Sequence, residues 1–256
     1  HIYSMRIAFS GTGNSGKTTL LKSFLYTWSN YTTPEKTYRQ MLEEEELPHS
    51  SKLTVETQTS ILDYMIDQVQ ATKKGDKVAY DRCPLDAIAY TIWAHEKKIE
   101  GFDKSFVTEQ INQMKESMRS LDIIFLCRFD PNQTIQDDGF RDTDKKFIVE
   151  IDNIFYSLYR QYTEHPEADV FFPKGDSPCI ILLPDKGQER IDLISQYITV
   201  DGNMYGEESS IFSPDNLNQL EELVKQQQTA HEAEEKEKEL KKKFGLPPGG
   251  IPPVTL

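Results

Sequence analysis

The sequence predicts an α/β protein built on a doubly wound parallel sheet, followed by a helical arm and an extended tail. Three observations predict it. Short apolar runs recur up to about residue 200, amphipathic helical patterns separate them, and beyond Val200 the alternation gives way to a long charged stretch. Strands alternating with helices pack as a parallel sheet covered by helices on its faces.

Four runs are strand candidates: Arg6–Ser10, Lys77–Asp81, Asp122–Phe129 and Pro178–Leu183. Each is apolar almost throughout, as in strands buried on both faces. A further strand is placed near 31–40, on a poorer pattern. Helical spacing follows in Leu20, Leu21, Phe24, Leu25 and Trp28, and again in Ile61, Leu62, Met65, Ile66 and Val69. It returns in Val107, Ile111, Met114 and Met118, then in Ile151, Ile154, Phe155, Leu158 and Tyr162. The acidic run at 42–47 reads as a solvated loop or helix face.

Residues 5–200 are expected to form the main domain and 201–256 a C-terminal extension. A helix should open near Ser213 or Asp215, with Pro214 in its first turn, and run to about Lys243. Glu232–Lys236, Glu234–Lys238, Glu237–Lys241 and Glu239–Lys243 are pairs at i,i+4, each worth about 0.2–0.5 kcal/mol. Beyond Val224 the helix has almost no apolar stripe, so it is solvent-exposed or a protruding arm. The proline-rich tail "GLPPGGIPPVTL" favours extended backbone. It is either disordered or an arm that docks on a neighbouring subunit or partner.

Composition narrows the function. A formal net charge of −13 argues against a broad basic face that coats nucleic acid, and leaves room for a small basic pocket for phosphates. No apolar stretch approaches the ~18 residues of a membrane span, and nothing reads as a signal peptide. "HIYS" reads as appended, with the native chain starting at Met5. Cys83, Cys127 and Cys179 are widely spaced and form no disulfide or metal pattern, so a reducing cytoplasm is expected.

The first candidate strand runs into "SGTGNSGKTTL", where Gly11-Thr12-Gly13-Asn14-Ser15-Gly16-Lys17-Thr18 satisfies G-x-x-x-x-G-K-[ST]. Glycines let successive N–H groups turn inward into a nest for oxygen anions. The following helix, with Thr19 in its first turn, adds its positive end. Lys17 reaches the β- and γ-phosphates of a nucleoside triphosphate, and the Thr18 hydroxyl holds Mg²⁺.

"KVAYDRCPLDAIAY" supplies the next element. Ligands of doubly wound sheets collect at the carboxyl ends of strands. Asp81 should therefore lie near the γ-phosphate, taking a proton from a substrate hydroxyl or holding Mg²⁺. Arg82 is placed to grip a substrate or transferring phosphate. Pro84 opens a helix whose Asp86 could hydrogen-bond a sugar hydroxyl. The plainer reading of Asp81-Arg82 is a helix cap with a surface arginine. After "DIIFLCRF" comes "DDGFRDTDKKFIVEID", where Arg141, Lys145 and Lys146 make a cationic segment. It reads as a lid over the triphosphate or as a solvated loop. Arg128 is expected near the nucleotide base.

These three stretches together resemble the P-loop nucleoside and nucleotide kinase superfamily. The likeness is closest to its ribosylnicotinamide-kinase-like ATP-binding domains, which include phage kinases of 5-hydroxymethyluracil in DNA. The resemblance covers roughly residues 5–198. It implies a five-stranded core, ATP with Mg²⁺, and phosphoryl transfer to a hydroxyl or phosphate. It implies Lys17 and Thr18 for ATP and metal, Asp81 as base and Arg141 as lid arginine. In "TPEKTYRQML", Glu35 and Arg39 stand where relatives carry an acidic-plus-arginine substrate element.

The acceptor divides by charge. DNA needs a local cationic groove, from residues such as Lys36, Arg39, Lys73 and Lys74. A free nucleoside needs an aromatic pocket, for which Tyr31, Tyr38, Gln58 and Tyr90 are candidates. The alternative function is a nucleotide-dependent switch that hydrolyses ATP and signals through residues 215–256, by self-association or a partner protein.

Overall fold

The computed structural model describes residues 5–47, 52–135, 143–165, 170–185, 187–204 and 214–244. The chain divides into two compact units, residues 1–205 and 206–256.

The first unit is an α/β sheet domain. Strands β1 (Arg6–Ser10), β2 (Val78–Asp81), β3 (Ile123–Leu126) and β4 (Cys179–Leu182) lie in the order β2-β1-β3-β4, all parallel. Register is continuous across the sheet: Ala8 pairs with both Tyr80 and Ile124, and Ile124 with Ile180. Side chains alternate between faces. Ala8, Tyr80, Ile124 and Ile180 point into one hydrophobic cluster. Ile7, Phe9, Ala79, Ile123 and Phe125 point into another.

Helices cover both faces. On one, α1 (Lys17–Thr27) and α7 (Gly187–Ile194) bury Leu20, Leu21, Phe24 and Ile194. On the other lie α2 (Tyr38–Glu44), α3 (Val55–Gln70), α4 (Pro84–Glu96), α5 (Lys104–Ser117) and α6 (Lys145–Glu164). Phe9 sits at the centre of the first face. It stacks on Phe125 at 5.8 Å and meets the edge of Phe24 at 5.4 Å.

Among the described residues the sheet has four strands, not the five expected. The segment near 31–40 contributes a single parallel bridge, Thr32 to Val78, on the outer side of β2. Pro34 has no N–H with which to extend a ladder. Thr37 then caps α2: its hydroxyl accepts from the Gln40 N–H, and Gln40 Oε1 accepts from the Thr37 N–H at 2.8 Å. The chain turns into a helix before a strand can form. Leu42 of α2 is buried, while Glu43 and Glu44 at its end and Glu45 and Glu46 just beyond it face solvent.

Residues 201–204, expected to belong to the extension, are bonded back onto this unit. Tyr31 donates to the Gly202 carbonyl at 2.8 Å, and the Trp28 indole donates to that of Thr199 at 2.8 Å. Tyr31 is thereby buried in the α1-face cluster.

The second unit contains α8 (Pro214–Phe244). Its side chains from Glu221 to Glu239 are exposed. The proline-rich tail lies outside the described residues. Among the described residues, no helix is long and apolar enough to cross a membrane.

Candidate functional site: a phosphate loop joined to an aromatic cavity

The glycine loop leaves β1 at its carboxyl end. Gly11 has φ 140°, and a Cβ there would lie 2.3 Å from the Cys127 carbonyl oxygen, so only glycine lets β1 and the β3 exit approach this closely. Gly16 has φ 82° and caps α1 with no side-chain hydrogen bond, which leaves the first-turn N–H groups free for an anion. Gly13 has open space around it. Asn14 carries a left-handed φ of 60°, which asparagine tolerates.

Lys17 is folded under the loop. Its ammonium donates to the Thr12 carbonyl at 2.5 Å and to Ser15 Oγ at 3.2 Å. Burial, and then the nearby Arg82 charge, lowers its pKa from 10.5 to about 7. A bound polyphosphate would reverse that shift.

The Thr18 hydroxyl donates to Asp81 Oδ2 at 2.8 Å. Asp81 ends β2 and Thr18 begins α1, so parallel pairing of β1 with β2 brings them together. A hydroxyl and a carboxylate side by side are hard oxygen donors. They suit Mg²⁺, which takes one or two carboxylates and completes its shell with phosphate and water.

Arg82 has φ 78°, a left-handed value that is uncommon outside glycine. The turn buries the guanidinium between Tyr38 at 5.4 Å and Tyr90 at 5.6 Å. One nitrogen donates to the Gly11 carbonyl at 3.3 Å and lies 3.6 Å from Asp86.

Asp86 does not hold out a free oxygen for a sugar. Its carboxylate, 1% exposed, accepts from Ser10 Oγ at 2.7 Å, from the Gly11 N–H at 3.1 Å and from the Cys83 N–H at 3.0 Å. It ties the loop to the Asp81-Arg82 turn. Burial pushes its pKa up, against the opposing charges of Arg82 and Lys17.

Two cavities meet here. The phosphate side is lined by Gly13, Lys17, Thr18, Thr19, Asp81, Thr37 and others. The second is walled by Leu53, Ile61, Met65, Tyr90, Phe147 and Ile148, with Gln58 and Asp86 as polar points. Gly13, Tyr38, Arg39 and Arg82 line both. The Gln58 amide donates to the Ala87 carbonyl at 3.0 Å and to Thr91 at 3.1 Å, which holds it rigidly in the wall. Behind the loop runs a groove lined by Gly16, Thr19, Arg128, Gln133, Asp185 and Arg190. Arg128 pairs with Asp152 at 2.7 Å and lies 4.4 Å over the Tyr156 ring.

The expected substrate residues thus divide. Arg39, Gln58 and Tyr90 line the cavity, as does Tyr38. Glu35 is exposed and lines neither cavity. Of the cationic groove expected for DNA, only Arg39 is at the site. Lys36 pairs with Glu44, and Lys73 and Lys74 lie at the opposite end of β2 from Asp81. Arg141 lies outside the described residues, while Lys145 and Lys146 are exposed at the start of α6. Phe147, Ile148 and Arg190 escaped the sequence reading. Phe147 and Ile148 sit one turn before the stripe that signals α6, and Arg190 lies in a short polar segment with no motif.

The profile of the AAA domain family matches residues 6–171, and the chain belongs to that family. Its first unit shares its fold with solved nucleoside and nucleotide kinases. A deoxyadenosine kinase from M. mycoides, with dCMP and dCDP bound, is 14% identical at a TM-score of 0.51, covering 74% of this chain and 96% of its own. NadR in complex with NR is 17% identical at a TM-score of 0.54, covering 76% of this chain. The match spans 52% of NadR, about half its length. NadR with NAD and AMP-PNP gives 15% identity and a TM-score of 0.50. No curated protein matches the chain in sequence.

Proposed function

We propose that this protein is an ATP-dependent phosphotransferase. It moves the γ-phosphate onto a hydroxyl or phosphate of a nucleoside-like acceptor. The observation that carries the reading is the continuity of two cavities: an aromatic-walled pocket opens directly onto the phosphate loop through Gly13, Tyr38, Arg39 and Arg82. Transfer without hydrolysis requires donor and acceptor side by side with water excluded.

The loop N–H groups and Lys17 hold the donor phosphates. Thr18 and Asp81 would hold Mg²⁺, which neutralises phosphate charge when bound. Asp81, on the phosphate side of the junction, is assigned to take the proton of the acceptor hydroxyl, and Arg82 to offset charge there. A planar acceptor is assigned to the space among Tyr38, Tyr90 and Phe147, with the amide oxygen of Gln58, whose N–H groups are taken by Ala87 and Thr91, left for the base edge. Arg128 serves the donor base in the groove behind the loop. The neighbours that bind nucleosides and nucleotides support this assignment. The pocket's mostly apolar walls, with Arg39 and Arg82 at its mouth as the cations, favour a free nucleoside or nucleotide over a base carried in DNA.

The test is transfer of radiolabelled γ-phosphate from ATP to nucleosides, nucleotides, ribosylnicotinamide and DNA containing 5-hydroxymethyluracil. A labelled small-molecule product supports the reading. ATP turnover with release of phosphate alone would replace it with a switch ATPase. Asp81→Asn should abolish transfer at unchanged melting temperature, and near-normal turnover would remove Asp81 from its role.

A further inference from the structure

Arg190, on α7, is 4% exposed and belongs to no recognised motif. Its guanidinium reaches into the back of the phosphate loop. Nη1 donates to the Ser15 carbonyl at 2.6 Å, Nε to that of Pro184 at 2.8 Å, and Nη2 to that of Arg128 at 3.3 Å. Three segments that are distant in sequence are joined by one side chain: the loop, the exit of β3 and the exit of β4.

Two features set this arginine apart from an ordinary structural one. First, its hydrogen-bond partners are backbone carbonyls, and it forms no ion pair with a described residue. Carbonyl dipoles solvate a guanidinium without cancelling its charge, and buried charges are ordinarily paired. A positive charge therefore remains directly behind the loop. The field reaches the adjacent Cys127, whose thiol Arg190 draws downward against burial that pushes it up to about 11. Second, the loop is shaped around it. A Cβ on Gly16 would lie 2.9 Å from Arg190 Nη1, so the approach uses the missing side chain of the motif's own glycine.

The bond to Ser15 has a directional consequence. In a trans peptide, C=O and N–H point opposite ways. Holding the Ser15 oxygen from behind turns the Gly16 N–H away from Arg190, toward the phosphate side. We propose that Arg190 is a positioning residue of the phosphate cradle: it fixes the Ser15–Gly16 peptide and supplies uncancelled positive charge behind the polyphosphate. The proposal rests on the phosphate-binding part of the reading above and not on the identity of the acceptor.

The test is calorimetric binding of ATP, inorganic tripolyphosphate and adenosine to full-length wild type, Arg190→Gln and Arg190→Lys, with melting temperatures alongside. Charge and fork are both lost in the glutamine variant. Its affinity for ATP and tripolyphosphate should fall about tenfold or more, with adenosine changed at most about twofold. Lysine keeps the charge but cannot span three carbonyls, so it should restore part of the loss. Loss on ATP and adenosine but not on tripolyphosphate would place Arg190 in the base groove and overturn the proposal. So would unchanged tripolyphosphate binding in either variant. If Arg190→Gln does not fold, the lysine variant alone decides, and wild-type affinity there overturns the idea. Wild-type binding of phosphates without transfer to any acceptor would defeat the phosphotransferase reading and leave this one standing. No binding of either phosphate ligand would defeat both.

Discussion

At the scale of single residues, Lys17 has the clearest consequences. Its ammonium is lowered to about 7 by burial and by Arg82. Between 7 and the ordinary 10.5, the unfolded chain holds a proton that the folded chain does not, so stability rises with pH across that window. Polyphosphate binding has the opposite sign. It needs the ammonium, so affinity is full below about 7 and declines above it. Binding on the alkaline side should take up a proton, which calorimetry in two buffers of unlike ionisation enthalpy would read. The absence of uptake would show that Lys17 is not the phosphate ligand. Lys17→Met removes a buried charge. Its melting temperature should equal or exceed that of wild type, while ATP affinity falls by about 1.5–3 kcal/mol. Asp86 teaches a related lesson. A carboxylate facing a ligand pocket looks like a substrate ligand in sequence, yet three donors from Ser10, Gly11 and Cys83 already claim it.

At the scale of elements, α2 is the part that the strand-and-helix pattern did not announce. Seven residues are too short for a periodic stripe, and the Thr37–Gln40 capping box starts the helix where a strand was expected. It carries Tyr38 and Arg39 to the junction of the two cavities. Thr37→Ala should therefore cost about 1 kcal/mol of stability in chemical denaturation. It should also raise the KM of the acceptor more than that of ATP, because α2 adds Tyr38 and Arg39 to the wall of the acceptor cavity, whereas Lys17 and the loop hold the donor phosphates. Equal rises would mean that α2 does not serve the acceptor side. The longer helices were legible because their stripes run for three or more turns: α3 buries Ile61, Leu62, Met65 and Val69, α5 buries Val107 and Met114, and α6 buries Ile151, Ile154, Phe155 and Leu158, while Ile66, Ile111 and Tyr162 are half-buried.

At the scale of the whole chain, the large hydrophobic clusters are built entirely from residues of the first unit. The second unit holds a helix whose described side chains are almost all solvent-facing. Buried apolar area dominates folding stability. A chain ending at residue 205 should keep a cooperative thermal transition within a few degrees of the full chain, and should keep ATP binding. Loss of the transition would show that the α8 unit contributes to the core. Retention of transfer in that chain would separate the C-terminal unit from the chemistry.

By itself the sequence determined the glycine loop behind β1, the strand–helix alternation and the carboxylate at the end of β2. Each is written in a contiguous run whose spacing is its own evidence. The tertiary structure decided the rest. It reduced five strands to four, because Pro34 and the Thr37 cap turn the chain away from the sheet edge. It gathered Tyr38, Gln58, Tyr90 and Phe147 around one cavity and sent Tyr31 and Glu35 elsewhere. It placed Arg190 behind Gly16, across 174 residues of chain from a loop that gives no sign of needing it. The reason is physical. Local spacing specifies which face of an element a residue occupies, but only sheet order and register specify which distant faces meet.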